Sequence, residues 1–381
     1  MIPEALRLQK LLPYLFAEID RKKRELIGQG KTLIDLGIGD PDLPTPRPII
    51  ESLYKAAQNP QNHRYPPYEG LLAFRKDCAH WMEQRFSVEI NPNTEVLALI
   101  GSKEGLAHFP HAFINPGDFA LMPDPGYPVY ANATILAGGT PLYYPLQEEN
   151  RFQPLWSEIP PSIWKSIRFV FVNFPHNPTS ATVPLESYRE LVDRAKQYGF
   201  VICSDSAYAE QNYNQSPSSI LQIPGAKEVA VDFFSLSKTY HMTGWRVGFA
   251  AGNASLLKAL GRIKSNMDSG VFGAIQQAAI QALEGPDKEL VEPSRQIYRY
   301  RRQLMAEGLR QKGYRVFDGG ATFYLWVKNH EGMNSDEMTQ TLLERGVVVT
   351  PGSGFGSKGE GYFRIALTST EEALKEALKL F

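Results

Sequence analysis

The chain has 381 residues, 43% of them hydrophobic and 21% charged, with a formal net charge of -1. That is a globular composition, long enough for a large core and two domains, and its balanced charge gives nucleic acid or an anionic membrane nothing to attract. Cys78 and Cys203 lie too far apart to form a metal-type or redox-type pair, and no basic leader or bilayer-length apolar run is seen, so a cytoplasmic protein is expected.

Residues 1–30 mix apolar and basic side chains and read mostly as helix, with Leu11, Leu12, Leu15 and Phe16 on one face. They are expected to form an arm that packs on the body or on a second subunit, with Tyr14 as its candidate substrate contact. Residues 33–42 read as a short strand running into a turn. Gly39 is there either as a plain turn residue or as a point of close approach whose N–H binds a carboxylate. A helix over 48–58 precedes His63-Arg64-Tyr65-Pro66-Pro67-Tyr68-Glu69-Gly70, a rigid aromatic loop. In it Tyr65 either packs or donates a hydrogen bond to an anion.

An amphipathic helix over 71–86 and a strand over 94–100 lead to Gly101-Ser102-Lys103-Glu104-Gly105, then a helix over 106–113. Strand, small residues, then helix is an arrangement that aims free N–H groups at a phosphate. Lys103 fits as a backbone donor whose side chain is a surface charge. After a strand over 119–122, Tyr127 stands where an aromatic side chain either packs or stacks on a flat ring. A buried strand over 168–174 ends in Pro175-His176-Asn177-Pro178. Asn177, held between prolines, is placed to hydrogen-bond a ring oxygen, and His176 reads as structural. A helix over 185–198 and a strand over 200–204 lead to Asp205-Ser206-Ala207-Tyr208. Asp205 is either a helix cap or the partner of a buried cation such as a protonated pyridine nitrogen.

The apolar run 229–234 then delivers Ser235-Leu236-Ser237-Lys238, with Arg246 and Gly248 downstream. A lysine in a polar pocket at a strand end suits Schiff-base chemistry, because burial or a nearby cation leaves part of the amine neutral. Ser235 and Arg246 suit a phosphate beside it. An aldehyde-binding lysine next to a phosphate clamp describes a pyridoxal phosphate (PLP) site.

Beyond residue 252 the chain reads as helical to about residue 311, interrupted at 269–273. Strands over 314–327 and 347–367, with a helix over 335–345, make a smaller α/β unit. Arg364 alternates with apolar neighbours there and needs an anion, either a substrate carboxylate or a structural partner. The candidate ligands of the alternating region gather at strand carboxyl ends, where open α/β sheets bind small molecules.

Ile38-Gly39-Asp40-Pro41-Asp42, Tyr65, Asn177-Pro178-Thr179, Asp205-Ser206-Ala207-Tyr208, Ser235-Leu236-Ser237-Lys238 and Arg364 occur in the order of a known family. Essentially end to end, the chain resembles the class I/II aminotransferases, the aspartate-aminotransferase-like, fold-type-I PLP enzymes. The resemblance implies an α/β fold: a large domain with a seven-stranded, mostly parallel sheet between helices, and a smaller α/β domain from both termini. The expected division is 1–45 for the arm and part of the small domain, 46–285 for the large domain and 286–381 for the small one. It implies PLP as cofactor, no metal, an amino acid and a 2-oxo acid as substrates, and a homodimer with shared active sites. Lys238 is implied as the cofactor's attachment point and proton shuttle, Asp205 as partner of the ring nitrogen, and Asn177 and Tyr208 as partners of the ring oxygen. Tyr127 is implied to stack on the ring. Ser102, the Lys103 amide, Ser235 and Arg246 are implied to hold the phosphate, Ser237 to bind the cofactor, and Tyr65 to reach the phosphate in the neighbouring subunit. Arg364 and the Gly39 amide, with Asn177 and Tyr14, are implied to bind substrate.

Ser180 stands where the family's Asn-Pro-x-Gly turn has glycine, so an altered turn is expected with its chemistry intact. Residues 265–273 carry no arginine of the kind that aspartate-specific relatives use for the side-chain carboxylate. The Leu12–Phe16, Tyr65–Gly70 and Thr322–Trp326 segments look most like diaminopimelate-type aminotransferases of lysine biosynthesis, although Glu69 stands one residue out of register. The leading expectation is transfer between glutamate/2-oxoglutarate and LL-diaminopimelate or a related lysine-pathway substrate. The alternatives are an aminotransferase for aspartate or an aromatic or neutral amino acid, and a C–S lyase on the same fold. Last comes a non-enzymatic regulator, for which the roughly forty residues before the Gly39 motif leave too little room for a DNA-binding domain.

Overall fold

The computed structural model describes residues 4–11, 15–285 and 287–381. Tyr14 therefore lies outside the described residues. In chain order the strands are β1 (Ile34–Asp35), β2 (Val96–Leu99), β3 (Phe119–Asp124), β4 (Thr140–Pro145), β5 (Ile167–Asn173), β6 (Val201–Asp205) and β7 (Ala230–Ser235). They continue with β8 (Gly248–Gly252), β9 (Val316–Phe317), β10 (Tyr324–Lys328), β11 (Val347–Val348), β12 (Thr350–Pro351) and β13 (Tyr362–Ala366).

Among the described residues, β2 to β8 form one seven-stranded sheet in the order β2-β8-β7-β6-β5-β3-β4. Strand β8 runs antiparallel to β2 and β7, and every other pairing is parallel. Strands β5, β7 and β8 are buried along nearly their whole length. Helices cover both faces, so apolar runs rather than alternating ones are what these strands require. Phe233 and Phe234 show the two faces. Phe233 meets Phe109 of helix Ser102–Phe113, while Phe234 meets Trp81 of helix Leu72–Phe86. Consecutive strand residues point to opposite sides, and each such burial contributes roughly 1.5–3 kcal/mol.

Two elements differ from the reading of the sequence. Strand β4 was not anticipated: Pro141 and Pro145 interrupt its pattern, and proline is tolerated because β4 is an edge strand. The helix expected from residue 106 begins four residues earlier, at Ser102, directly after Gly101 at φ 74°. Its N-terminus therefore opens on the carboxyl end of the sheet rather than one turn away.

A second core gathers Leu36 with Met305, Leu325, Phe363 and Leu374. Its framework is the four-stranded sheet β12-β13-β10-β9, antiparallel throughout, and the parallel pair β1-β11. Pairing of Ile34 with Val347 ties the segment leading to Gly39 to the C-terminal part of the chain. That segment crosses over the carboxyl ends of the large sheet. Among the described residues, no helix is long and apolar enough to cross a membrane.

Candidate active site

Strand order reverses at β3 in the large sheet, with β4 on one side and β5 on the other. At such a switch point the loops leave in opposite directions and open a crevice at the strand carboxyl ends. A cavity of about 530 Å³ lies there, walled by residues from the ends of β5, β6 and β7, the N-terminus of helix Ser102–Phe113 and the Gly39 segment.

Strand β7 ends at Ser235, which has extended backbone and accepts a hydrogen bond on Oγ from the Ser237 N–H at 3.2 Å. This cap starts the single turn Leu236–Thr239, which carries Lys238 into the cavity. Lys238 Nζ donates to the Gly39 carbonyl at 2.8 Å, and its own carbonyl accepts from Gln211 Nε2 at 3.0 Å. Burial lowers the amine to about 8; nearby Arg364 and Arg246 push the same way and Asp40 opposes them. Part of the amine is then neutral near neutral pH, as a nucleophilic lysine needs.

Asp205, at the end of β6, is 5% exposed. Its carboxylate accepts from the Tyr130 hydroxyl at 2.7 Å and the Ala207 N–H at 3.1 Å. Burial nevertheless pushes it up to about 6, against those two hydrogen bonds. The Asp205 carbonyl accepts from Asn173 Nδ2 at 2.7 Å, and Asn173 Oδ1 accepts from the Asn177 N–H at 2.9 Å. Asn177 Oδ1 in turn accepts from Arg364 Nη1 at 2.8 Å, while Arg364 Nη2 donates to the Gly37 carbonyl at 2.7 Å. One chain of hydrogen bonds thus runs from the main-chain carbonyl of Asp205 to the guanidinium. Arg364 lies in the middle of β13, 2% exposed, with its guanidinium 4.1 Å from the centre of the Tyr324 ring. Tyr324 shares a 2.9 Å hydrogen bond with Tyr208, whose hydroxyl burial pushes well up. A side chain on Gly39 would overlap the Tyr324 hydroxyl, so close approach requires glycine there.

The third corner is cationic and lined with N–H groups. Arg246 donates to the Thr243 carbonyl at 2.7 Å and to Ser237 Oγ and the Ile100 carbonyl at 3.5 Å each. A Cβ on Gly101 would run into that guanidinium, and the positive φ of Gly101 turns the chain into the helix whose first residues, Ser102 and Lys103, face the cavity. Oriented helix amides and one arginine suit an anion.

Twelve residues singled out from the sequence therefore line one cavity: Gly39, Ser102, Lys103, Tyr127, Asn177, Asp205, Tyr208, Ser235, Ser237, Lys238, Arg246 and Arg364. Tyr65 does not; it is 88% exposed. His176 is structural: it is fully buried, shares a 2.8 Å hydrogen bond with Thr179 Oγ1, and burial lowers it to about 3. Ser180 keeps a positive φ of 64°. Its hydroxyl donates to the Tyr324 carbonyl at 2.6 Å and lies 2.8 Å from Thr322 Oγ1, ties that a glycine would lack. Reading the sequence missed Tyr130, Asn173 and Tyr324. Nothing local marks the first two, since their roles depend on contacts 75 and 32 residues away. Tyr324 lies within a segment, Thr322–Trp326, that the sequence marks only by its resemblance.

The family described as aminotransferase class I and II matches residues 31–381. The chain is 55% identical to an LL-diaminopimelate aminotransferase of Aquifex aeolicus, over 97% of this chain and 96% of that protein. It is 53% identical to an LL-diaminopimelate aminotransferase of Maridesulfovibrio salexigens, over 98% and 96%. Among solved structures, a single mutant of the Thermus thermophilus aspartate aminotransferase superposes with a TM-score of 0.95 at 28% identity, covering 100% of this chain and 99% of that one.

Proposed function

This chain belongs to the class I and II aminotransferases, and we propose that it moves an amino group between LL-diaminopimelate and the glutamate/2-oxoglutarate pair. It is an aminotransferase with pyridoxal phosphate as cofactor. The donor set of the cavity fits that group: a buried carboxylate at one end, an amine on the wall and a cationic corner lined with N–H groups. When bound, the cofactor supplies a protonated ring that accepts the electrons left by the α-proton.

This chain's residues divide the remaining work. Lys238 would be the attachment point for the aldehyde, and its amine, freed by substrate, would carry the proton from the substrate α-carbon to the cofactor C4′. An amine already lowered to about 8 is matched to that task near neutral pH. Asp205 keeps the ring nitrogen protonated, since a cation against a carboxylate in a dry site holds both charged. Asn177 and Tyr208 bond the ring oxygen, and Tyr127 covers the ring face. Ser102, the Lys103 amide, Ser235 and Arg246 hold the phosphate, and Ser237 binds the cofactor.

Arg364 and the Gly39 amide hold the substrate's α-carboxylate, the guanidinium already fixed by Asn177 and Gly37. Fixing that group sets which bond at the α-carbon faces Lys238, so orientation supplies part of the rate. Tyr65 serves the phosphate of a second subunit, and Tyr14 contacts substrate. Tyr54, Tyr65, Tyr68 and Leu72 are each exposed, and a homodimer would give such large side chains cover. Free, buried Cys78 and Cys203 agree with a reducing compartment, the cytoplasm.

The substrate rests on one observation, 55% identity along nearly the whole chain to a relative named for LL-diaminopimelate. Absence of an arginine from residues 265–273 agrees with it. The test is a half-reaction: cofactor-loaded enzyme is mixed with single amino acids, and conversion to the pyridoxamine form is followed by absorbance. Rapid conversion by LL-diaminopimelate and glutamate but not aspartate is expected. No conversion by LL-diaminopimelate overturns the substrate and leaves the reaction class standing.

A further inference from the structure

Lys264 lies outside the cavity, on helix Ala254–Met267, and is 1% exposed. A buried ammonium is costly unless it is fully paired. Lys264 Nζ donates to both oxygens of Asp268 at 2.9 Å and to Glu104 Oε2 at 3.3 Å. Glu104 Oε1 also bonds His108 Nδ1 at 2.7 Å. The cluster is therefore built around its own cation, the ammonium of Lys264.

Both carboxylates hold backbone at places that matter. Glu104 Oε2 accepts from the Ile100 N–H at 3.1 Å, and the Ile100 carbonyl accepts from Arg246. Peptide groups on either side of Ile100 are thus pinned, one by Glu104 and one by Arg246, immediately before Gly101 turns the chain into the Ser102 helix. Asp268 Oδ1 accepts from the Gly270 N–H at 2.7 Å. The segment after it supports the aromatic loop: a Cβ on Gly270 would lie 3.1 Å from Pro66, and Leu71 N–H donates to Gln276 Oε1 at 2.7 Å.

We propose that Lys264 is a positioning residue: by neutralising Glu104 and Asp268 together, it holds the Ile100–Gly101 turn in the shape that binds the cofactor phosphate, and the loop of Tyr65 in register with it. The proposal rests on the reading of Ser102, Lys103 and Arg246 as the phosphate corner. Without the ammonium, two part-buried carboxylates face each other and Glu104 no longer stays on Ile100.

The test compares pyridoxal phosphate with pyridoxal, which lacks the phosphate, each titrated into cofactor-stripped enzyme and followed by absorbance. Lys264→Met is expected to weaken pyridoxal phosphate by about tenfold, the scale of one charge-assisted hydrogen bond, and to leave pyridoxal within about twofold. A general packing defect weakens both alike. Equal weakening of the two, or no change in either, overturns the proposal. Should Lys264→Met fail to fold, Glu104→Ala carries the same expectation, since it removes the acceptor of the Ile100 N–H while the Lys264–Asp268 pair remains. Arg246→Ala separates the two layers of inference. If that variant keeps the preference for pyridoxal phosphate over pyridoxal, the phosphate corner itself is misplaced. If it loses the preference while Lys264→Met keeps it, only the role of Lys264 fails.

Discussion

Asp205 and Asp232 sit on adjacent parallel strands, both are buried, and burial pushes both up to about 6. Only one opens on the cavity. In the register of β6 and β7, Asp232 lies opposite Ser204, and Asp205 lies opposite Phe233. Laterally paired residues share a face, and strand faces alternate. Asp232 therefore points to the side of Phe234 and Trp81, where each of its oxygens accepts a serine hydroxyl, from Ser206 and Ser219, at 2.6 Å. Asp205 points to the opposite side at the strand end, towards Tyr130 and the cavity. A buried carboxylate with a raised pKa is thus no sign of function by itself. The sheet face and the distance from the strand end decide it.

The comparison breaks most visibly through activity. Asp205→Asn is expected to lower kcat by about a hundredfold or more, the scale for losing one preorganised charge in a dry site. Asp232→Asn should keep kcat within about threefold, less than about 1 kcal/mol of barrier. Its cost appears instead in folding: denaturant unfolding should show a loss of about 1–3 kcal/mol near pH 4, and a smaller one near neutral pH, where Asn also removes a buried charge. Equal losses of kcat in the two variants would dissolve the distinction.

Stability against pH sharpens it next. A carboxyl that rises on folding from the ordinary value near 4 to about 6 binds its proton more tightly in the folded state. Stability is therefore greatest below the unfolded pKa and falls as pH rises through the folded one. In cofactor-free enzyme each aspartate should remove about 2–3 kcal/mol between pH 4 and 6. Asp232→Asn should delete its share whether or not cofactor is bound. Asp205→Asn should flatten the curve only without cofactor, because a cationic ring nitrogen offsets the cost of ionising Asp205. Urea unfolding at several pH values, with and without cofactor, checks both.

The smallest effect lies in the partners. Tyr130→Phe removes the hydroxyl from Asp205 and should reduce kcat by up to about tenfold, one hydrogen bond to a charged group. Ser206→Ala removes one hydroxyl from Asp232; it should leave kcat unchanged and cost about 1–3 kcal/mol of stability. Steady-state rates beside unfolding curves separate the pair.

Asp205 was legible in the sequence because it closes an apolar run and precedes Ser206-Ala207-Tyr208. Asp232 was not, because it lies inside the run 229–234 and is satisfied by Ser219, which precedes it by 13 residues. The same contrast holds along the chain. Lys238, Asn177 and Arg364 announce themselves through short spacings, and the parallel strands through unbroken apolar runs. Tyr130, Asn173 and Tyr324 have ordinary local sequence and gain their roles from partners brought near by the sheet. Strand β4 escaped because its prolines read as breakers until its place at the sheet edge is known. Ser180 departs visibly from the family's turn, but its compensation, the hydroxyl bonded to the Tyr324 carbonyl, is a tertiary contact.

The central claim is that Asp205, and not Asp232, holds the charge of the cofactor ring. Nitrogen-15 NMR of enzyme loaded with ring-labelled pyridoxal phosphate reads it directly. The ring nitrogen should be protonated near neutral pH in the natural enzyme and in Asp232→Asn, and unprotonated in Asp205→Asn. A protonated ring nitrogen in Asp205→Asn, or its loss in Asp232→Asn, would contradict the account.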